Sequence, residues 1–283
     1  SPVASVVIPN GALASLAAGG DVTVSASARD GVVSVDIASG GSNVKQLPGG
    51  VTAEVSAAQC SSGTVAMLVA SDGSTTVIRK SIADPNRGTV SVPLDGSARL
   101  VIVNNGKAFA DVPSSSWAAG AVEFISGHEI MNGTDGTSFS PSAPMTRGML
   151  AAVLHNIESN PRASGSAAFS DVGSAWYGEA VRWAAGQGIV SGYSDGRFGP
   201  DDMVTREQLA VMLYRYAGQP AVSGSTLSFS DAGQVSAWAE DAIRWAVGAG
   251  ILSGDGSRLN PGGQATRAEA ASMLMRFMIN VGR

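Results

Sequence analysis

Three arginines in the second half of this 283-residue chain recur in one setting. Each directly follows a threonine and stands six residues after a proline, in the pairs Thr146-Arg147, Thr205-Arg206 and Thr266-Arg267. A guanidinium group can hold a carboxylate through two parallel hydrogen bonds. The recurrence therefore predicts sites for an anionic group, and the removal of such arginines should weaken binding without lowering stability. The alternative is that they are solvated or structural residues in the first turn of a helix.

The arginines belong to a sixty-residue repeat that supplies further candidate ligand-binding residues. Each copy has an aspartate, a tryptophan and a glycine at matching places: Asp111, Asp171 and Asp231; Trp117, Trp176 and Trp238; Gly133, Gly192 and Gly254. A carboxylate can accept hydrogen bonds from a ligand, an indole offers it a flat apolar face, and glycine permits its close approach. The structural alternatives are aspartates that cap turns, tryptophans that anchor the core, and glycines in the left-handed conformation. Trp183 and Trp245 are expected in the core.

Residue types that carry catalysis or bind metals are scarce in this sequence. It has one cysteine, Cys60, and two histidines, His128 and His155, which do not lie at a metal-ligand spacing. We expect both histidines to be surface or satisfied core residues. Glycoside hydrolysis needs an acid and a base in one cleft, and residues 1–107 offer no such pair. We therefore expect no metal site, no cofactor and no enzymatic activity.

Charge and hydropathy exclude two classes of partner. The chain has 18 Lys plus Arg against 23 Asp plus Glu, a formal net charge of −5, whereas nucleic-acid-binding domains carry a clustered basic patch. No stretch approaches the roughly 18 consecutive apolar residues of a membrane span. We expect neither nucleic-acid binding nor membrane insertion. Because the chain opens at Ser1 without an initiator methionine, we also expect it to be part of a longer protein.

Residues 1–107 show an alternation of valine with polar residues that predicts β-strands. Such runs lie at 51–55, 65–69 and 90–94, and Gly-rich turns separate them. Several short strands at regular spacing are typical of an antiparallel sandwich. We expect these residues to form an all-β, sandwich-like domain.

Residues 108–283 contain the repeats, which lie at about 108–160, 168–219 and 228–280. Within each repeat, an apolar stripe after the tryptophan predicts one amphipathic helix, and a second helix starts at the Thr-Arg pair. Helix pairs of this size cannot bury a core alone. We expect an all-α domain in which three helix–loop–helix units form a pseudo-threefold trimer.

The starts of the second helices carry graded capping signals. The residues at the cap and three positions later are Thr266 with Glu269, Thr205 with Gln208, and Thr146 with Met149. Glutamate or glutamine can return a hydrogen bond to the cap, which completes a capping box. Methionine cannot, so the first repeat is expected to have half of a cap.

These motifs resemble those of the S-layer homology (SLH) family, and the resemblance covers about residues 108–280. The family pattern combines Phe-x-Asp, an aromatic-led helix, an apolar-apolar-x-Gly turn and Thr-Arg-Ala-Glu. The last motif is intact at 266–269, becomes Thr-Arg-Glu-Gln at 205–208 and becomes Thr-Arg-Gly-Met at 146–149. The region before the repeats is similar to β domains that precede SLH triplets in secreted Firmicutes proteins.

The resemblance implies a non-catalytic module that anchors a secreted surface protein to the cell wall of a Gram-positive bacterium. SLH modules typically bind a secondary wall polymer ending in pyruvate-ketal-bearing N-acetylmannosamine. The resemblance places sugar pockets in grooves between repeats, with the ketal carboxylate on the arginines. Two alternatives stay open: the C-terminal part of a cell-surface glycan-degrading exo-enzyme, or an adhesion or lattice protein that self-assembles through its β domain.

Overall fold

A computed structural model of the chain describes residues 3–163, 169–222 and 227–282, so the expected start of the second repeat at residue 168 lies outside it. The chain divides into two compact units. One comprises the chain up to Lys107 together with Ser126–Glu129, and the other comprises Ala108–Ile125 and the chain from Ile130 onward. The candidate binding residues all lie in the second unit.

The first unit forms two antiparallel sheets in the part of the chain that the structure describes. Its strands are β1 (Ala4–Val7), β2 (Val22–Arg29), β3 (Val32–Ser39), β4 (Ser42–Asn43), β5 (Val51–Ser56), β6 (Thr64–Val69), β7 (Thr75–Val77), β8 (Ile82–Asp84), β9 (Thr89–Leu94) and β10 (Ala98–Asn104). One sheet has the order β1-β5-β9-β8, and the other has the order β2-β3-β10-β6-β7 with β4 paired to β3. Val35, Val55 and Leu100, drawn from both sheets, are fully buried in one core. The region is sandwich-like, as the valine alternation predicts.

The expectation of an all-β first region is wrong at helix α1 (Asn10–Ala17). Ala12 and Leu16 are buried in the same core as the strands. Their spacing of four residues places both side chains on one helix face, and alanine and leucine have high helix propensity. Only these two residues of α1 are buried, which is too few to establish a helical period in the sequence.

Each repeat contains a pair of α-helices within the described residues. The helices of the repeats are α2 (Ala119–Gly127), α3 (Arg147–Ile157), α4 (Gly178–Gly186), α5 (Arg206–Tyr216), α6 (Glu240–Gly248) and α7 (Arg267–Asn280), with short 3-10 helices at Ala232–Gln234 and Ala237–Ala239. Complete capping boxes close at Thr205 and Thr266. Thr146 accepts a hydrogen bond from the Met149 amide at 3.3 Å without the return bond. The graded caps are therefore confirmed.

The second helices of the repeats supply the core, as their apolar stripes predict. Leu154, Leu213 and Leu274 occupy equivalent places on α3, α5 and α7 and are fully buried. Helix α3 packs against α4 of the next repeat, and α5 packs in the same way against α6. Each repeat thus completes its core with a neighbouring repeat, which explains why the units recur together.

The expectation that the repeats form an all-α trimer is wrong, because extended segments precede the second helices and pair with one another. Isolated antiparallel bridges join Pro144 to Thr266, Thr146 to Met203, and Thr205 to Gln264. Three backbone hydrogen bonds close a ring: Met145 N donates to Ala265 O, Ala265 N to Val204 O, and Val204 N to Met145 O, at 2.8–2.9 Å. These residues are buried, and buried backbone groups need partners that no helix supplies here.

Candidate functional site

The recurring arginines lie between repeats, and each donates two hydrogen bonds to backbone carbonyls of another repeat. The bonds are Arg147 Nε to Phe198 O (2.9 Å) and Nη2 to Ser191 O (2.8 Å); Arg206 Nε to Leu259 O (2.8 Å) and Nη2 to Ser253 O (3.1 Å); Arg267 Nε to Phe139 O (2.8 Å) and Nη2 to Asn132 O (2.7 Å). Arg206 and Arg267 are 8% and 7% exposed, and Arg147 is half-buried. All three therefore make structural contacts between repeats, and the prediction that they also bind a ligand stays a prediction.

The third guanidinium nitrogen, Nη1, distinguishes the three arginines. Arg206 Nη1 donates to Glu269 Oε1 at 2.6 Å. Within the described ranges, Nη1 of Arg147 and Nη1 of Arg267 have no hydrogen-bond acceptor. In these two guanidinium groups Nη1 is thus left without an acceptor, whereas Nε and Nη2 make the structural bonds.

Aromatic rings support two of the guanidinium groups. Arg147 Cζ lies 4.6 Å from the ring centroid of Phe198, and Arg267 Cζ lies 4.7 Å from that of Phe139. Leu259 occupies the equivalent place beside Arg206, so this cation–π contact is absent there among the described residues. Such contacts hold a cation in position without using its hydrogen-bond donors.

The recurring aspartates fasten a loop within their own repeat. Each carboxylate accepts two consecutive backbone amides at 2.7–2.8 Å: Asp111 from Phe139 and Ser140, Asp171 from Phe198 and Gly199, and Asp231 from Leu259 and Asn260. The amides of Phe139 and Leu259 are the largest cause that lowers the pKa of Asp111 and Asp231. The arrangement matches the turn-capping alternative, with both carboxylate oxygens engaged.

The recurring glycines make room for a phenyl ring. A Cβ atom at Gly133, Gly192 or Gly254 would lie 2.6–2.8 Å from Cε1 of the phenylalanine that opens the same repeat. None of these three glycines has a positive φ, so the expected left-handed conformation is wrong. Close packing explains their lack of a side chain, because real Cβ atoms do not come within 3.0 Å of another atom.

The recurring tryptophans are on the surface. Trp117, Trp176 and Trp238 are 70%, 71% and 59% exposed, whereas Trp183 and Trp245 are 6% and 8% exposed. The core-anchor alternative is thus excluded for the first three, and the core placement of the other two is confirmed. Exposed indole rings are uncommon on soluble domains and often mark a binding surface.

Two grooves bring a tryptophan and an arginine of different repeats together. Groove A, of about 450 Å³, is lined by Trp117 of the first repeat, Arg206 of the second, and Ser253, Arg258, Glu269 and Arg276 of the third, with Gly254 at the same loop. Groove B, of about 160 Å³, is lined by Trp238 of the third repeat, Arg147 of the first, and Ser191, Gln208, Met212 and Arg215 of the second. Each groove therefore needs all three repeats.

The remaining candidate residues lie outside both grooves. These are Trp176, Arg267, Gly133, Gly192 and the three aspartates. The sequence matched residue types within a repeat, whereas the structure combines residues across repeats. Only tertiary contacts decide that pairing.

The grooves also contain a second arginine that the sequence analysis did not identify. Arg215 lines groove B and Arg276 lines groove A, each nine residues after the first arginine on the same helix. Asn156 has this position in the first repeat and donates through Nδ2 to Ile130 O at 3.0 Å. The sequence signal that could have identified these arginines is their spacing of nine residues from the first arginine, which recurs in two repeats.

Trp117 also lines a second cavity, of about 340 Å³. Ser116, Pro141 and Thr266 line that cavity together with Trp117 and Glu269. Open space therefore adjoins this indole on more than one side. A ring placed in this way can stack against a ligand at little cost in rearrangement.

The described residues include neither a cluster of metal ligands nor a membrane-spanning helix. Within them, no group of three or more His, Cys, Asp or Glu side chains could hold a metal ion. Helices in the same ranges are all too short or too polar to cross a bilayer. His128 Nε2 lies 2.8 Å from Ser81 O, and His155 Nε2 lies 2.7 Å from Pro161 O, so both histidines are satisfied.

Comparison with known proteins finds similarity to the S-layer homology domain and to proteins of bacterial surfaces and glycan degradation. The model of the S-layer homology domain matches residues 108–148, 168–210 and 228–271. The chain is 29% identical to an amylopullulanase of Thermoanaerobacterium thermosulfurigenes, over 70% of the chain and 11% of that protein. It is 32% identical to exoglucanase XynX of Acetivibrio thermocellus, over 59% of the chain and 16% of that protein. It is 24% identical to S-layer protein EA1 of Bacillus anthracis, over 66% of the chain and 22% of that protein. The chain thus spans less than a quarter of these relatives.

Proposed function

Because this chain is an S-layer homology domain protein of the cell surface, we propose that its grooves bind a pyruvylated secondary polysaccharide of the cell wall. Domains of this family anchor secreted surface proteins to the wall by binding wall polymers. The proposed specificity is for the acidic ketal group on the polymer. It rests on the chemistry of the grooves.

The observation that carries the proposal is the pairing of an exposed indole with a guanidinium group in grooves A and B. Trp117 faces the groove that contains Arg206, and Trp238 faces the groove that contains Arg147. A pyruvate ketal carries a carboxylate on a rigid sugar ring. The indole suits the ring, and the arginines suit the carboxylate.

The charge of the grooves supports an acidic ligand in a chain that is acidic as a whole. The formal net charge is −5, yet the described lining of groove B has two arginines and no carboxylate, and that of groove A has three arginines against Asp255 and Glu269. Concentration of arginines in a concave surface raises the local potential for anions. A neutral glycan would not require it.

We propose further that this chain has no catalytic activity and acts as a retention module of a longer protein. The enzymes among its relatives are much longer than the region they share with it, which covers 11% of the amylopullulanase and 16% of the exoglucanase. Amylopullulanase and exoglucanase activity are therefore attributed to those proteins. Turnover of a wall glycan by the purified chain would contradict this part of the proposal.

The test is retention of the purified chain on isolated cell walls before and after chemical removal of pyruvate ketals. We expect the chain to sediment with untreated walls and to stay in the supernatant with depyruvylated walls. Walls treated in the same way and then checked for intact polymer content are the control. Equal retention on both preparations would rule out the ketal as the ligand.

A further inference from the structure

Grooves A and B share one layout, but a different residue faces the guanidinium group in each. In groove A, Glu269 uses Oε2 to accept the Thr266 amide at 2.8 Å and Oε1 to accept Arg206 Nη1 at 2.6 Å. One carboxylate thus caps its own helix and neutralises the arginine of the preceding repeat. The side chains of this pair are 10% and 26% exposed, so the ion pair is partly shielded from water.

Gln208 has the same helix position in groove B and leaves the arginine unpaired. Its Oε1 accepts the Thr205 amide at 2.9 Å. The other terminal atom of a glutamine is an amide nitrogen, which only donates. It cannot accept from Arg147, whose Nη1 has no acceptor among the described residues. Both side chains complete a capping box, but only glutamate also occupies the guanidinium group.

A second position also gives groove A a negative charge that groove B lacks. The residue after the loop glycine is Asp255 in groove A, where it lines the groove. The equivalent residue beside groove B is Tyr193, whose ring centroid lies 5.1 Å from Arg147 Cζ. The described lining of groove A therefore combines three arginines with two carboxylates, whereas that of groove B has two arginines and no carboxylate.

Arg215 is the second cation of groove B and is free to meet a ligand. Among the described residues its side chain makes no hydrogen bond or ion pair, and the residue is half-buried. Its counterpart Arg276 in groove A donates through Nη1 to Ser253 Oγ at 2.7 Å. At the third interface, Arg267 is buried and Asn156 replaces the second arginine. Groove A also contains Arg258, whose Nε lies 3.7 Å from Asp231 Oδ2. Two of the three arginines of groove A are therefore paired with carboxylates, whereas within the described structure neither arginine of groove B is.

We propose that groove B receives the acidic group of the wall polymer, and that the residue at position 208 or 269 decides which groove can do so. This inference rests on the proposed function and adds Arg215 as a residue that determines specificity for the charged group. A carboxylate that enters groove B meets Arg147 Nη1 and Arg215, which both lack acceptors. In groove A the same carboxylate would have to compete with Glu269 for Arg206. The small volume of groove B, about 160 Å³, suits one charged substituent rather than a run of sugars.

Exchange of the two residues tests the inference, because Gln and Glu both complete a capping box. The variants are Gln208→Glu, Glu269→Gln and the double exchange, in the full chain, with affinity measured by calorimetry for purified wall polymer with and without its ketals. We expect Gln208→Glu to weaken binding of the pyruvylated polymer by about tenfold. The double exchange should restore most of the affinity, since Arg206 then becomes available. Melting temperatures should stay near that of the unmodified chain.

The second arginines supply a matched pair. We expect Arg215→Gln to weaken binding of the pyruvylated polymer by about tenfold and Arg276→Gln by less than about twofold. With the depyruvylated polymer, both variants should behave like the unmodified chain, which is expected to lose its binding. A larger loss of affinity in Arg276→Gln than in Arg215→Gln, or full affinity in Gln208→Glu, would overturn the assignment of the acidic group to groove B. Either result would leave the proposed function standing. Absence of any binding by the unmodified chain would instead remove the proposed function itself.

Discussion

Trp117 and Arg206 line the same groove although they belong to the first and second repeats, and the loop between them comes from the third. Groove B has the corresponding construction from Trp238, Arg147 and the second repeat. A single repeat therefore contains no complete groove of this kind. Retention on the cell wall should depend on the folded triplet, and the following variants separate its binding residues from its structural ones.

Removal of the exposed indoles should abolish binding without loss of stability. Trp117→Ala with Trp238→Ala removes rings that are more than half exposed, so little packing is lost. We expect wall retention to fall at least tenfold, at about 1–3 kcal/mol for each stacking ring as in other aromatic stacking sites, with an unchanged melting temperature. Trp183→Ala is the control and should cost about 3–5 kcal/mol of stability because that ring is buried. Retention that survives the double variant would contradict the role of the indoles.

Removal of a recurring arginine should lower stability, contrary to the expectation from the sequence alone. Arg267→Ala leaves the carbonyls of Phe139 and Asn132 without their buried donor, which should cost about 1–3 kcal/mol in the free energy of unfolding. Arg215→Ala is the matched control, because the Arg215 side chain makes no hydrogen bond within the described residues, and it should change the free energy of unfolding by less than about 0.5 kcal/mol. Urea titrations followed by circular dichroism would measure both. Equal effects of the two variants would show that the inter-repeat bonds contribute nothing.

An alanine at a recurring glycine should disturb the packing of its repeat. At Gly133 the new Cβ would lie 2.6 Å from Phe109 Cε1 and from Ser138 O, so Gly133→Ala should cost about 1–3 kcal/mol. Gly136 lies in the same loop with no atom within 4 Å of its Cβ position. Gly136→Ala should be tolerated within about 0.5 kcal/mol. A stable Gly133→Ala variant would show that the phenyl ring moves freely.

The aspartate loops should make the repeats sensitive to acid. Backbone amides lower the pKa of Asp231 on folding, with the Leu259 amide as the largest cause. A carboxyl group whose pKa falls on folding stabilises the protein above its unfolded pKa, about 3.9, and this contribution is lost as the pH falls through the folded pKa. The free energy of unfolding should therefore decline below about pH 4.

The variant Asp231→Asn isolates this contribution. It lacks the titrating group, so its stability should decline less than that of the unmodified chain between about pH 4 and pH 3. Urea unfolding at several pH values would measure both slopes. An unchanged slope in the variant would assign the acid sensitivity to other carboxyl groups.

Local features of this protein were predictable from its sequence because neighbouring residues determine them. The starts of α5 and α7 follow from a threonine and the residue three positions later, which lie within one helical turn. The buried faces of α3, α5 and α7 follow from the helical period, and the alternating valines of β5 and β9 follow from the strand period. The sixty-residue repeat is itself a property of the sequence.

Tertiary structure decided the roles of the recurring residues. Phe198 O and Ser191 O, the acceptors of Arg147, belong to another repeat, and backbone carbonyls carry no sequence signal. The ring of hydrogen bonds through Met145, Val204 and Ala265 joins three segments too short to show a strand period. The pairing of each tryptophan with an arginine depends on how the repeats close on one another. Sequence patterns report which side chains recur, whereas the packing of distant segments determines which of them meet.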